Sequence, residues 1–186
     1  QYFYARHRSW SKMGKMVSDV SACVDAIERF DFLDPDRVYV VGDTIGGSVG
    51  LMAAARDPRI AGVAVVAAFS PWRASNSRYE SIRMFSHWHA FMPRLGLFAE
   101  RPEEVPVDYP EILAAIAPRK LMVVAPTLDR HSDGEAVTRT MERVGAVYEL
   151  HEAENRLKVS RPMEINRMTP EMEEEILQFL KLEAEQ

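Results

Sequence analysis

The stretch Val40 to Gly47, VVGDTIGG, has residue types and spacing that could present a nucleophile. Glycines flank a hydroxyl residue in the pattern G-x-T-x-G-G, with Thr44 standing where a serine would complete a nucleophile elbow. In such an elbow a strand turns sharply into a helix, the glycines permit close packing, and the central side chain stands clear of the sheet. The first N–H groups of the helix then point to where an oxyanion would form in acyl transfer. Two other glycine patterns fail on single residues. A dinucleotide-binding G-x-G-x-x-G needs glycine at position 44. A phosphate-binding G-x-x-x-x-G-K-[ST] finds Gly42 and Gly47 correctly spaced but meets Ser48 in place of lysine.

The flanking sequence supplies the elements an elbow needs. Val38–Val41 is an apolar run without polar alternation, as expected of a strand buried on both faces. Ser48–Ala55 reads as the helix that follows. Further apolar runs at Ala61–Phe69, Lys120–Ala125 and Ala146–Glu152 predict three more strands. Helical periodicity over Ser11–Phe30, in EILAAIA and in GEAVTRTMERV alternates with them. Along Ser11–Phe30 the apolar face is Met13, Met16, Val20, Cys23, Ile27 and Phe30. Thr169-Pro170 opens a last helix with a hydroxyl N-cap and proline at the first position, its face being Met172, Ile176, Phe179 and Leu180. Strands alternating with helices predict an α/β fold: a mostly parallel sheet with helices on both faces, in one domain over residues 1–186. The four strands are expected to be neighbours in chain order. Residues 70–110 interrupt the rhythm with about forty aromatic, Arg- and Pro-rich residues, read either as a lid or binding surface or as a structured excursion packed on the sheet.

Composition narrows the partners. At 186 residues with 47% hydrophobic and 27% charged residues, the chain is long enough to bury a sizeable core. A formal charge of −5 gives no basic footprint for nucleic acid, and no apolar run reaches the length of a membrane span. Cys23 is the single cysteine, so no internal disulfide forms; one cysteine does not fix the compartment. No motif implies a cofactor. His87 and His89, as SHWHAF, form a two-histidine pattern without an obvious carboxylate partner, which is weak evidence for a metal site.

With the elbow, DPRIAGV and IAPRKLMVVAP in order, the chain resembles the α/β-hydrolase superfamily, in particular bacterial acetyl-xylan-esterase and dienelactone-hydrolase-like proteins. The likeness runs from SKMGKMVSDVSACVDAIERF to the last helix. It implies the carboxyl half of a hydrolase sheet, with the elbow after its fifth strand, and an acyl or carboxylic ester as small-molecule substrate. By the same resemblance Thr44 takes the nucleophile position and the Ile45 N–H the first oxyanion position. Asp129 takes the acid position, with Asp133 as second choice. The second oxyanion donor belongs to a loop after the family's third strand, which this sequence does not contain. The elbow strand would then present an open edge, to be covered by an amino-terminal half or a partner chain.

The base position departs from the family pattern. The segment HEAENRLKVS is expected to hold it and sets Asn155, before Arg156, where an imidazole belongs. His151 is the nearest histidine, read either as a base displaced by a few residues or as a structural imidazole within the last strand. His87 and His89 could fold over the elbow from the insertion, His131 shares a loop with Asp129, and His7 lies near the chain start. Asp43 reads as a solvated carboxylate beside the elbow. Threonine at a strained turn and no imidazole in reach both weigh against rapid turnover. A non-catalytic binding module of the same fold is therefore the alternative function.

Overall fold

The computed structural model describes residues 2–74 and 82–181; residues 75–81 of the insertion lie outside the described residues. The elements are α1 (Tyr2–Arg6), α2 (Lys12–Ile27), β1 (Val38–Asp43), α3 (Ile45–Arg56), β2 (Ile60–Val66), α4 (Tyr109–Ala114), β3 (Lys120–Val124), α5 (Gly134–Leu150), β4 (Leu157–Ser160) and α6 (Pro170–Lys181). The four strands form one parallel sheet in the order β1-β2-β3-β4.

The sheet separates two apolar layers. Val63, Val65, Leu121 and Val123 face a large core shared with Met13, Val17 and Val24 of α2, Leu51 and Ala54 of α3, and Val137, Met141 and Tyr148 of α5. Ala64, Val66, Met122 and Val124 face the smaller core under α6, formed with Met172, Ile176, Phe179 and Leu180. Alternate residues of β2 and β3 are thus buried on opposite faces, so their sequences are apolar throughout. Each fully buried Val, Leu or Ile contributes about 1.5–3 kcal/mol. Helix α2 starts at its Ser11 N-cap, whose hydroxyl accepts from the Gly14 N–H at 2.9 Å. It ends at Ile27, earlier than the periodicity predicts, leaving Phe30 beyond it and Cys23 on its exposed face.

One predicted strand is corrected. Ala146–Glu152 is not a strand: α5 continues to Leu150, and the fourth strand is Leu157–Ser160. The buried positions Val137, Met141, Val144 and Tyr148 recur at helical spacing, and the Tyr148 hydroxyl donates to the Arg119 carbonyl at 2.7 Å. β-Branched and aromatic residues in AVYEL imitate a strand there, and tertiary packing overrides that preference. Strand β4 lies at the sheet edge and is only partly buried, so its sequence carries little apolar signal.

The described part of the insertion is both packed and site-forming. Trp72, Ile82, Phe85 and Leu95 are buried in the large core. Its two roots are joined by Asp108, whose carboxylate accepts from the N–H groups of Trp72 and Arg73 at 2.9 Å each and of Tyr109 at 2.7 Å. Glu111 completes a capping box by accepting from the Asp108 N–H at 2.9 Å, and Arg73 pairs with Glu111 at 2.7 Å.

Candidate functional site

Thr44 lies at the turn between β1 and α3 with φ 51° and ψ −116°, a conformation costly for a β-branched residue. The turn is tight because of its glycines. A Cβ on Gly42 would come within 2.6 Å of the Gly46 and Gly47 backbone, and one on Gly47 within 2.6 Å of the Ala68 Cβ. Gly46, expected to share this role, meets nothing within 4 Å. The Thr44 N–H donates to the Val66 carbonyl at 2.9 Å, and its hydroxyl donates to Asp43 Oδ1 at 3.0 Å. Asp43 is thus a hydrogen-bond partner of the elbow hydroxyl, a role not visible in the sequence. Ile45 is the first residue of α3, so its N–H has no acceptor within the helix.

The carboxyl ends of the strands are brought level by a ladder of loop hydrogen bonds. Ala67 donates to Val124 at 3.0 Å and Ala125 to Ser160 at 2.8 Å. Beyond the strands, Thr127 donates to Pro162 at 2.9 Å and Leu128 to Glu164 at 3.0 Å. These bonds hold the loops after β3 and β4 side by side, and so carry Asp129 and Asn166 to the same edge as Thr44. The insertion closes the third side. Tyr4 of α1 donates its hydroxyl to the Ala90 carbonyl at 2.5 Å, Lys12 Nζ to the His89 carbonyl at 3.3 Å, and the Met13 N–H to the Phe91 carbonyl at 3.1 Å. Held this way, His89 stacks on Phe91 with centroids 5.3 Å apart.

The resulting cavity is about 320 Å³ and is lined by Thr44, Ile45, Ser48, Asp129, His131, His89 and Asn166, with Phe69, Met84, Phe85 and Phe91 as apolar walls. Asp129 is buried and accepts the His131 backbone N–H at 2.9 Å. Ser48, one helical turn below Thr44, is buried. Its hydroxyl donates to the Ala68 carbonyl and accepts from the Tyr109 hydroxyl at 3.2 Å, so it is engaged in the core. Burial pushes the Tyr109 phenol well above its usual range, keeping it a neutral donor.

Other predicted residues fall elsewhere. His151 is the exposed C-cap of α5, and Asn155 lies in the turn preceding β4; both are at the amino end of the sheet, away from the elbow. His87 pairs with Ser86 at 2.7 Å and packs against Gly96. Asp133 caps α5 by accepting from the Ala136 N–H at 3.0 Å. The loop that does follow the last strand carries Asn166-Arg167, the same residue pair as Asn155-Arg156. Among the described residues, no three His, Cys, Asp or Glu side chains gather as a metal site, and no helix is long and apolar enough to cross a membrane.

Comparison with known proteins gives the architecture a family context. The family described as "Glucuronyl esterase, fungi" matches residues 1–151. Carbohydrate esterase MZ0003, from an unknown prokaryotic organism, is 24% identical over 161 residues, covering 80% of this chain and 37% of that protein. A glucuronoyl esterase from Solibacter usitatus superimposes with a TM-score of 0.79 at 19% identity, covering 92% of this chain and 48% of the other. One from Teredinibacter turnerae gives 0.81 at 17% identity, covering 94% and 47%. The chain therefore spans about half the length of these solved relatives and 37% of the curated one.

Proposed function

The chain belongs to the fungal glucuronyl esterase family, an esterase family of α/β-hydrolase fold, and from that premise we propose that its carboxyl-edge pocket binds an ester of a sugar acid without hydrolysing it efficiently. One observation carries the reading: the elbow keeps its strained turn, while the loop after the last strand offers Asn166 to the pocket. A neutral amide cannot take the proton of the Thr44 hydroxyl, and general-base catalysis is typically worth ~10²–10⁴ in rate. Asp43 accepts a hydrogen bond from that hydroxyl and holds it at the turn. Titrating the chain with the methyl ester of glucuronic acid, while following glucuronate release by NMR, tests this. Saturable binding without turnover above background is expected; release at a rate abolished by Thr44→Ala contradicts it.

A second reading has its own support. His89 and His131 both line the pocket, and either could serve as base in place of Asn166. It predicts a pH-rate profile with an imidazole limb that His89→Asn or His131→Asn removes.

The free edge of β1 extends the first reading. Among the described residues strand β1 pairs with β2 alone, and Val41 is exposed next to a shallow groove lined by Leu33, Val38, Tyr39 and Leu177. A strand from outside these 186 residues, on the same or another chain, would pair there. The chain by itself is then expected to self-associate in sedimentation velocity; a stable monomer at high concentration counts against this.

A further inference from the structure

Each strand of the sheet is led in by an arginine: Arg37 before Val38, Arg59 before Ile60, Arg119 before Lys120 and Arg156 before Leu157. The four strands run parallel, so these residues fall at one end of the sheet, opposite the elbow. Adjacent strands lie about 4.8 Å apart, and the arginines therefore form a row across the amino edge. All four line one cavity there of about 610 Å³, with Lys120 beside them. Among the described residues, the lining carboxylates are Glu28, just beyond α2, and Asp36, before β1. The β3–β4 side contributes only cations to the lining: Arg119, Lys120 and Arg156.

The two middle arginines differ in what meets their charge. Arg59 is ringed by Asp57, Asp25 and Glu28, whose hydrogen bonds raise its pKa above the ordinary arginine value. The acids of this end thus gather around Arg59. Arg119 meets carbonyls instead, those of Ala54, Asp57 and Ile60. These satisfy its N–H groups but carry no net charge, and burial holds its pKa below the ordinary value. Lys120 is likewise buried against the carbonyls of Phe179 and Leu180. Beside them Arg156 is half-buried and reaches the Pro118 carbonyl at 3.5 Å, the long limit of a hydrogen bond. Arg37 is exposed at the far end of the row. A planar guanidinium offers paired N–H donors that match the oxygens of a carboxylate or phosphate. We propose that this cavity binds a polyvalent oxyanion, of carboxylate or phosphate type, on its β3–β4 side: Arg156 makes the contact, and Arg119 and Lys120 supply the positive charge behind it. The site is separate from the carboxyl-edge pocket and independent of how that pocket is read.

The test titrates the full chain at neutral pH and low salt with inorganic phosphate, tripolyphosphate and tricarballylate, following the arginine Nε–H resonances by NMR. At least one of the two polyvalent ions should saturate, shift the Arg156 and Arg119 signals, and bind roughly tenfold more tightly than phosphate. The tighter of the two identifies the group the site takes. Arg156→Gln should weaken binding about fivefold or more, and Arg156→Lys, which keeps the charge but loses the fork, should restore only part of it. Arg37→Gln, at an exposed position, should cost about twofold through the longer-range field. Arg139→Gln, exposed on α5 at the other side of the molecule's charge row, serves as control and should change nothing. No saturation by either polyvalent ion overturns the proposal, and so does equal weakening by Arg156→Gln and Arg139→Gln, which would mark diffuse attraction. Either failure leaves the ester-pocket reading untouched, because methyl glucuronate is titrated separately.

Discussion

The two ends of the sheet differ in what their polar side chains touch. At the amino end Arg59, Arg119 and Lys120 are each committed to partners. Arg59 joins Asp57 at 2.8 Å, Asp25 at 2.7 Å and Glu28 at 3.0 Å. Arg119 donates to the carbonyls of Ile60 at 2.8 Å, Ala54 at 2.6 Å and Asp57 at 3.1 Å. The buried Lys120 ammonium donates to the last carbonyls of α6, Phe179 at 3.1 Å and Leu180 at 3.2 Å, where the helix dipole favours a cation. The carboxyl end has positive-φ backbone at Thr44 and Ala67, both lining a cavity with apolar walls. Strain persists only where surrounding structure enforces it. These charged groups of the amino end bind one another and the backbone, whereas at the carboxyl end the elbow turn opens into the apolar-walled cavity.

Four substitutions break or sharpen that contrast. Gly42→Ala should have the largest effect, because the new Cβ meets backbone that cannot move aside; a loss of about 3 kcal/mol is expected in urea unfolding, together with loss of ligand binding. Arg119→Met should cost about 2–3 kcal/mol by leaving carbonyls unpaired, yet leave ester affinity unchanged. Loss of affinity in the stable fraction would show that the two ends are not independent.

The third prediction concerns acid. The hydrogen bond and charge of Arg59 hold Asp57 at about 2, against an ordinary carboxylate value of 3.8. Because the folded value is lowered, the contribution is complete above about 4 and fades as pH falls toward 2. Asp57→Asn should therefore narrow the stability gap between pH 7 and pH 2.5. An unchanged gap would remove Asp57 from the acid response. The smallest effect is expected at Gly46→Ala. Nothing lies within 4 Å of the added methyl, and alanine favours a helix over glycine by up to ~1 kcal/mol, so stability should hold or rise slightly. A loss comparable to that of Gly42→Ala would mean the elbow is tighter than its geometry indicates.

The same contrast explains what could be read in advance. β2 and β3 are buried on both faces, and such strands advertise themselves as unbroken apolar runs; the elbow does so through Gly42, Thr44 and Gly47. That Asp129 lies at the same sheet edge as Thr44 follows from its place in the loop after β3. The edge strand β4 was not legible, since a half-exposed strand of four residues loses its signal to the Val-Tyr pair inside α5. That misplacement put the expected base loop at Asn155 and His151, whereas the loop that follows the last strand carries Asn166. The Asp43–Thr44 hydrogen bond, the open space at Gly46 and the bonds joining the loops after β3 and β4 depend on tertiary geometry that no local pattern encodes.

The central proposal is that the Thr44 hydroxyl has no base within reach. Intact-mass spectrometry after exposure of the chain to a fluorophosphonate probe reads this directly, with Thr44→Ser and Thr44→Ser/Asn166→His in parallel. No adduct is expected on the wild type or on Thr44→Ser. The double variant, which supplies both a less hindered hydroxyl and an imidazole in the loop after β4, should label at least about 100-fold faster. A stoichiometric adduct on Thr44 of the wild-type chain would contradict the account and assign the base to His89 or His131.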